Sequence, residues 1–409
     1  MGDLFTYLRW RGDLRFFQSG FNEVDSLIFA RLSYIPFEEM GVENFLRPRK
    51  LGEVARELLE RPEAAEKVLM SQDLVLLKEV AESSRFSEVQ VCGYCNLRDA
   101  EREMQFAAIT FLLPREEGQR QVCIAFRGTD NTLIGWKEDF NMSFMEAVPA
   151  QKQAVLYLTQ AAEQIAGPFI LCGHSKGGNL AVYASAFCRK AIQQRICGVY
   201  NFDGPGFGET VLNQSGYQAV CSRIYTFVPQ SSIIGMLLEH EEQYTIIHST
   251  QTGLYQHDIY SWELERTSLC RLQAATNASR MVDRSLKEWI SSMSPEEREK
   301  FFDGLFYILR QTNAQTLREL TENWYKNAVI MARSLKNMNE ENRKLMIAVL
   351  RLLLRSARNN VFLLLPHRGG RRMEDKIETE RFAGTERTAA VGDLQGKMPE
   401  FDETLKGKS

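Results

Sequence analysis

Ile170-Leu171-Cys172-Gly173-His174-Ser175-Lys176-Gly177-Gly178-Asn179 is the stretch that decides the fold. An apolar run from Pro168 to Cys172 stops at a glycine, and a serine follows two residues later with glycines after it. Residues 179–187 then read as a helix. This is G-x-S-x-G between a strand and a helix, the pattern of a nucleophile elbow. The bend is sharp and places the serine in strained backbone geometry. A side chain at Gly173 or Gly177 would meet the neighbouring strand or helix, so glycine is required there. Ser175 is therefore the candidate nucleophile. The bland alternative is a plain strand-to-helix turn in a nucleotide-binding or structural α/β protein.

Working outward, the 409 residues exceed what one core usually holds, so a main domain with additions is expected. Hydrophobic residues make up 44% and charged residues 25%, an ordinary globular balance. A net charge of −3 offers no electrostatic case for nucleic acid. The eight cysteines are scattered, with Cys123, Cys172 and Cys221 inside apolar runs, which reads as reduced thiols in a cytoplasmic protein. Cys92-Gly-Tyr-Cys95 spells C-x-x-C, but strand-like alternation would aim the two thiols at opposite faces, and no second pair completes a zinc site. No metal or cofactor is expected. The N-terminus lacks an apolar core of signal-peptide length, and no run of about 18 apolar residues predicts a membrane span.

Residues 1–85 read as a helical segment packed on the core, with apolar residues at helical spacing over 22–32 and 51–59. No chemistry is assigned there, and Asp25 reads as a structural acid. From Ser87 the period turns strand-like. Residues 89–94, 104–113 and 121–126 form three candidate strands with short loops, hence antiparallel. Helix and strand then alternate: a helix over 150–165, a strand over 169–172, and strands over 198–202, 223–228 and 244–248. That implies a parallel sheet with crossover helices. The predicted core, 86–262, is α/β with a mixed, mainly parallel sheet. Residues 263–365 read as a helical region, with Ser294-Pro295-Glu296-Glu297 as a helix start. The Arg-studded stretch 345–365 suggests peripheral membrane contact. The charged tail, 366–409, is too poor in large apolar residues to offset ordering entropy and reads as disordered.

A serine nucleophile needs a base, an orienting acid and an oxyanion hole. Five histidines narrow the base. His174 lies inside the elbow and His367 in the tail, leaving His240, His248 and His257. His257, in the loop Gly253-Leu254-Tyr255-Gln256-His257-Asp258 after the last strand, is the candidate, with His248 next. For the acid, the strand before that loop ends Phe227-Val228-Pro229-Gln230-Ser231-Ser232, with no carboxylate. The preceding strand ends Asn201-Phe202-Asp203-Gly204-Pro205-Gly206, and parallel sheets gather site residues at such ends. Asp203 is the candidate acid, with Glu239 and Asp258 as alternatives. One oxyanion donor is the N–H of Lys176. The other belongs to the loop after Cys123-Ile124-Ala125-Phe126, where Thr129 stands, its hydroxyl free to fix the loop or reach the oxyanion.

Phe126-Arg127-Gly128-Thr129, Trp136, Asp139 and Gly173-His174-Ser175-Lys176-Gly177-Gly178 resemble the class 3 (fungal-type) lipases and a largely uncharacterised bacterial branch of that group within the α/β-hydrolase superfamily. Asn201-Phe202-Asp203-Gly204-Pro205-Gly206 and Gln256-His257-Asp258-Ile259-Tyr260-Ser261-Trp262 are similar to later blocks of that branch. The resemblance covers about residues 86–262. It implies a serine esterase or lipase with Ser175 as nucleophile, His257 as base and Thr129 in the oxyanion hole. Two departures stand out: Pro229-Gln230-Ser231 occupies the usual place of the acid, and Lys176 replaces a smaller or apolar residue. Arg127 and Asp139 are expected to pair and brace the oxyanion loop. An apolar helix over 231–238 would line an acyl pocket. The expected function is hydrolysis of a hydrophobic acyl ester, with a small-molecule or lipid substrate. The alternatives are a non-catalytic lipid- or protein-binding module on the same fold, and a thioesterase or amidase using the same residues.

Overall fold

The computed structural model describes residues 2–347 apart from 115–119, 131, 143–144, 231, 233, 236–237, 239, 274–293, 315, 317–318, 320–323, 336–339, 341–342 and 345. The stretch 345–365 and the tail 366–409 thus lie almost wholly outside the described residues.

Five helices precede the main sheet strands: α1 (Leu4–Arg11), α2 (Glu23–Leu32), α3 (Leu51–Leu59), α4 (Ala64–Lys67) and α5 (Gln72–Glu82). A capping box starts α2. The Asn22 side chain accepts from the N–H groups of Val24 and Asp25, and the Asp25 carboxylate accepts from the Asn22 N–H. The sheet has eight strands lying side by side in chain order. They are β1 (Arg49–Lys50), β2 (Gln90–Asp99), β3 (Met104–Pro114), β4 (Arg120–Phe126), β5 (Phe169–His174), β6 (Ile196–Phe202), β7 (Ile224–Pro229) and β8 (Tyr244–Ile247). Pairing is antiparallel from β1 to β4 and parallel from β4 to β8. Between the parallel strands run α6 (Leu133–Asn141), α7 (Pro149–Gln164), α8 (Lys176–Phe187), α9 (Lys190–Gln193), α10 (Glu209–Leu212) and α11 (Ser215–Val220).

This strand order has a packing consequence. Parallel crossovers are right-handed, so crossovers that all advance in the same direction put their helices on one face. Strand residues alternate between faces. Val122, Ile124, Phe169 and Leu171 meet Ala154 and Leu158 of α7 and Leu180 and Ala184 of α8. Cys123, Ala125, Ile170 and Cys172 point the other way, and the N-terminal helices cover them with Leu27, Phe29, Leu76 and Val80. Phe29 stands against Phe111 with ring centroids 4.6 Å apart. Residues 1–85 therefore supply the layer that covers one face of the sheet. Trp262 and Leu264, just past the 253–261 loop, join that same face. A mixed sheet between helical layers, with a tight strand-to-helix turn at its centre, is the α/β-hydrolase fold expected from the sequence.

Three local expectations are corrected. Cys92 and Cys95 do not face opposite sides. A bulge between them, at Gly93 with φ +66°, turns both towards the α7/α8 face. The chain after Trp262 does not go straight into helix but first makes a hairpin, β9 (Leu264–Glu265) and β10 (Ser268–Leu269). Of the helix expected over 231–238, only Ser232, Ile234, Gly235 and Leu238 are described; none of them is helical, with Leu238 at φ 63°, and the rest of that stretch lies outside the described residues. Further on, α12 (Pro295–Arg310) opens with a capping box from Ser294 and Glu297, and α13 (Trp324–Leu335) follows. Phe302 of α12 stacks on Phe140 of α6 at 4.5 Å. Among the described residues no helix is long and apolar enough to cross a membrane.

The N-terminal layer is tied together by a buried ion pair. The Arg85 guanidinium donates to Asp25 at 2.7 and 2.5 Å and to the carbonyls of Leu14, Ser19 and Gly20, and both side chains are fully buried. Removing one partner leaves a buried, unpaired charge. Asp25→Ala is expected to destabilise the protein by about 3–5 kcal/mol, read from urea denaturation. A loss below about 1 kcal/mol would mean that the pair does not hold the layer.

Candidate active site

The centre of the site is the turn from β5 into α8. Ser175 has φ 58° and is half-buried. Its N–H donates to the carbonyl of Phe202 on β6, and its carbonyl accepts from Gly178. The flanking glycines are required by close contact. A Cβ on Gly173 would sit 2.2 Å from the Gly177 backbone, and one on Gly177 would sit 2.1 Å from the carbonyl oxygen of Phe126. This packing lays the end of β4 and the two residues after it, 126–128, against the elbow. A Cβ on Gly128 would come within 3.0 Å of the Ser175 Cβ.

Asp203 and His257 meet directly. Asp203 follows β6 in a fully buried turn with φ 54°, its N–H donating to the carbonyl of Phe227. Its Oδ2 lies 2.6 Å from Nδ1 of His257, and its Oδ1 accepts from the Ser232 hydroxyl at 2.5 Å. An ionised carboxylate is an acceptor only, so His257 donates from Nδ1 and its Nε2 is left with the lone pair. The His257 side chain is 26% exposed. It ends the short helical turn Gly253–His257, and its ring centroid is 4.4 Å from that of His174, the neighbour of Ser175.

The other candidates are engaged elsewhere. Nδ1 of His248 lies 2.8 Å from Glu263, and His240 bridges Glu242 and the carbonyl of Gly235. Asp258 caps the turn Ile259–Ser261 by accepting from the Tyr260 N–H. Glu239 lies outside the described residues.

Beside the elbow sits a buried polar cluster. Nζ of Lys176, 1% exposed, donates to both oxygens of Gln105 and, at 3.0 Å, to Glu138. Glu138 also accepts from the backbone of Gln105 and Ala150, which ties α6 to β3 and to the start of α7. The expected pair between Arg127 and Asp139 does not form. Arg127 lies against Asp130 at 3.6 Å and donates to Asn96. Asp139 instead accepts from the Thr129 hydroxyl and lies 3.8 Å from Nζ of Lys176. The Thr129 proton is thus committed to Asp139, so of its two possible oxyanion donors the backbone N–H remains. Burial pushes the Asp139 carboxyl up to about 6, with Lys176 and Thr129 pulling it back.

The sequence reading missed Tyr34. Its hydroxyl lies 3.0 Å from Nδ1 of His174 and 3.3 Å from the His174 carbonyl oxygen and packs against Gly128, while Nε2 of His174 lies 2.8 Å from the carbonyl oxygen of His257. Strand parity carries the signal for His174. Ile170 and Cys172 face the N-terminal layer, so His174 two residues on faces it too.

A family model, Mbeg1-like, matches residues 80–307, more than half of the chain, including Ser175, Asp203 and His257. The chain belongs to the Mbeg1-like family. Among solved structures, "Crystal structure of M37 lipase" is similar at 16% identity and a TM-score of 0.33, over 52% of this chain and 69% of that one. No curated protein matches.

The raised carboxyl of Asp139 has a stability consequence. The folded state keeps this proton up to about pH 6, against the ordinary 3.8. The group therefore favours folding below about pH 4, and that contribution is lost as pH rises through 6. Asp139→Asn removes the titration. Its stability relative to wild type is expected to climb between about pH 4 and 6, read from urea midpoints, whereas parallel profiles would contradict the assignment.

Proposed function

We propose that this Mbeg1-like protein is a serine carboxylester hydrolase that cleaves a hydrophobic acyl ester through an acyl-enzyme. The observation that carries the reading is the 2.6 Å contact between buried Asp203 and His257 at the elbow of Ser175. The non-catalytic alternative draws its support from the lack of a carboxylate at Pro229-Gln230-Ser231, the usual place of the acid. Asp203, one strand earlier than the usual position, fills that role.

In this reading Ser175 Oγ attacks the ester carbonyl while Nε2 of His257 takes its proton. Asp203 holds the imidazole in the tautomer that leaves Nε2 free, and it stabilises the imidazolium that forms. The electron pair of the carbonyl moves to oxygen, where the N–H groups of Lys176 and Thr129 receive it. The pair returns, the alkoxide leaves, and His257 hands it the proton. Water, deprotonated by His257, then releases the acid by the same steps. Lys176 supplies its backbone to this hole, while its side chain, fixed on Gln105 and Glu138, locks the first turn of α8.

Ser175→Ala is expected to lower p-nitrophenyl ester turnover by on the order of 10⁵-fold or more and to abolish labelling by a fluorophosphonate probe. Labelling that persists in the variant would refute the reading. Matched ester, thioester and amide substrates tell which bond the site prefers.

A further inference from the structure

The N-terminal layer reaches the candidate base at two points. Tyr260, three residues past His257, donates its hydroxyl to Asp73 of α5 at 2.7 Å. Asp73 is itself gripped by Arg31 of α2 in two buried hydrogen bonds, of 2.6 and 2.7 Å. The Arg31 guanidinium lies over the rings of both Tyr34 and Tyr260, at 4.8 and 5.2 Å. The second point is Tyr34 itself, through His174 to the backbone of His257.

Hydrogen-bond logic fixes the protons along this second path. The His257 carbonyl only accepts, so Nε2 of His174 carries a hydrogen and donates. His174 is buried, faces the His257 ring and lies near Arg31. Each of these disfavours a charge there and holds it well below the ordinary histidine value, so the ring is neutral. Its Nδ1 is then a bare lone pair, and the Tyr34 hydroxyl, 3.0 Å from it and 3.3 Å from the His174 carbonyl oxygen, is the donor that meets it at the shorter distance. The Tyr34 oxygen also packs directly against Gly128, where it would meet any added Cβ at 2.2 Å. One phenol thus touches both the loop proposed to form the oxyanion hole and the histidine that holds the base loop.

We infer that Tyr34 and His174 are positioning residues for the proposed reaction: Tyr34 sets the tautomer of His174, and His174 Nε2–H anchors the His257 backbone so that its imidazole stands at Ser175. The inference rests on the reading of Ser175, His257 and Asp203 as the reacting groups. It gives the N-terminal helices a part in the chemistry that their sequence does not announce. Neither residue is required to touch substrate, so their loss acts on the rate and not on binding.

The test uses the full chain, with p-nitrophenyl butyrate and a fluorophosphonate as probes. Tyr34→Phe keeps the ring and removes the donor. It is expected to lower kcat by about 10-fold or more, with KM within about two-fold, and to slow fluorophosphonate labelling in parallel. His174→Gln retains a donor at the Nε2 position and should keep more activity than His174→Leu. Independently of turnover, ¹⁵N spectra of histidine-labelled wild type are expected to show His174 protonated on Nε2 alone. A labelled wild type with unchanged kcat in Tyr34→Phe overturns this inference only, as does a His174 found protonated on Nδ1. A wild type that neither turns over nor takes the probe overturns the hydrolase reading, and this inference with it.

Discussion

The structure depends on how closely two backbones approach at the elbow. The carbonyl oxygen of Phe126 lies where a side chain at Gly177 would have to go, only 2.1 Å from a built Cβ. That contact draws the end of β4 onto the first turn of α8. It places Gly128 beside Ser175 and leaves the serine little choice but its positive φ. Strain of this kind persists only where the surroundings over-determine it. Here they do. Ser175 is bonded at its N–H to β6 and at its carbonyl to Gly178, and the Lys176 side chain is held by Gln105 and Glu138.

A second constraint is the unbroken strand order. With every crossover helix on one face, the other face of the sheet needs a separate cover, and the first 85 residues supply it. The cover carries charges into the interior in matched pairs, Arg85 with Asp25 and Arg31 with Asp73. Such pairs add little net stability but penalise any other arrangement of the layer heavily. The loop bearing His257 lies on this same face, which is why Tyr34, Asp73 and His174 can reach it.

Much of this was legible in the residues. The elbow, the antiparallel-then-parallel strands and the α/β-hydrolase fold follow from period changes and from glycines whose spacing has one structural explanation. The contact of Asp203 with His257 was foreseeable because carboxylates at strand ends after Ser175 are few. What escaped depends on long-range packing. Nothing local to Tyr34 marks it, since a buried tyrosine at the end of an apolar helix is ordinary. The expected partnership of Arg127 and Asp139 failed because Asp130 is nearer to Arg127, while Thr129 and Lys176 take Asp139. The two thiols of Cys92-Gly-Tyr-Cys95 share a face because a bulge adds a residue to the strand, which alternation alone cannot reveal.

The central claim is that Ser175, His257 and Asp203 act as one unit. The most direct measurement is the rate and site of fluorophosphonate attachment in wild type and in Asp203→Asn, followed by mass spectrometry of the labelled peptides. The account predicts an adduct on Ser175 in wild type and a rate lower by about 10³- to 10⁴-fold in the variant, because asparagine no longer holds the productive imidazole tautomer. An adduct on another residue, or equal rates in the two proteins, would contradict it.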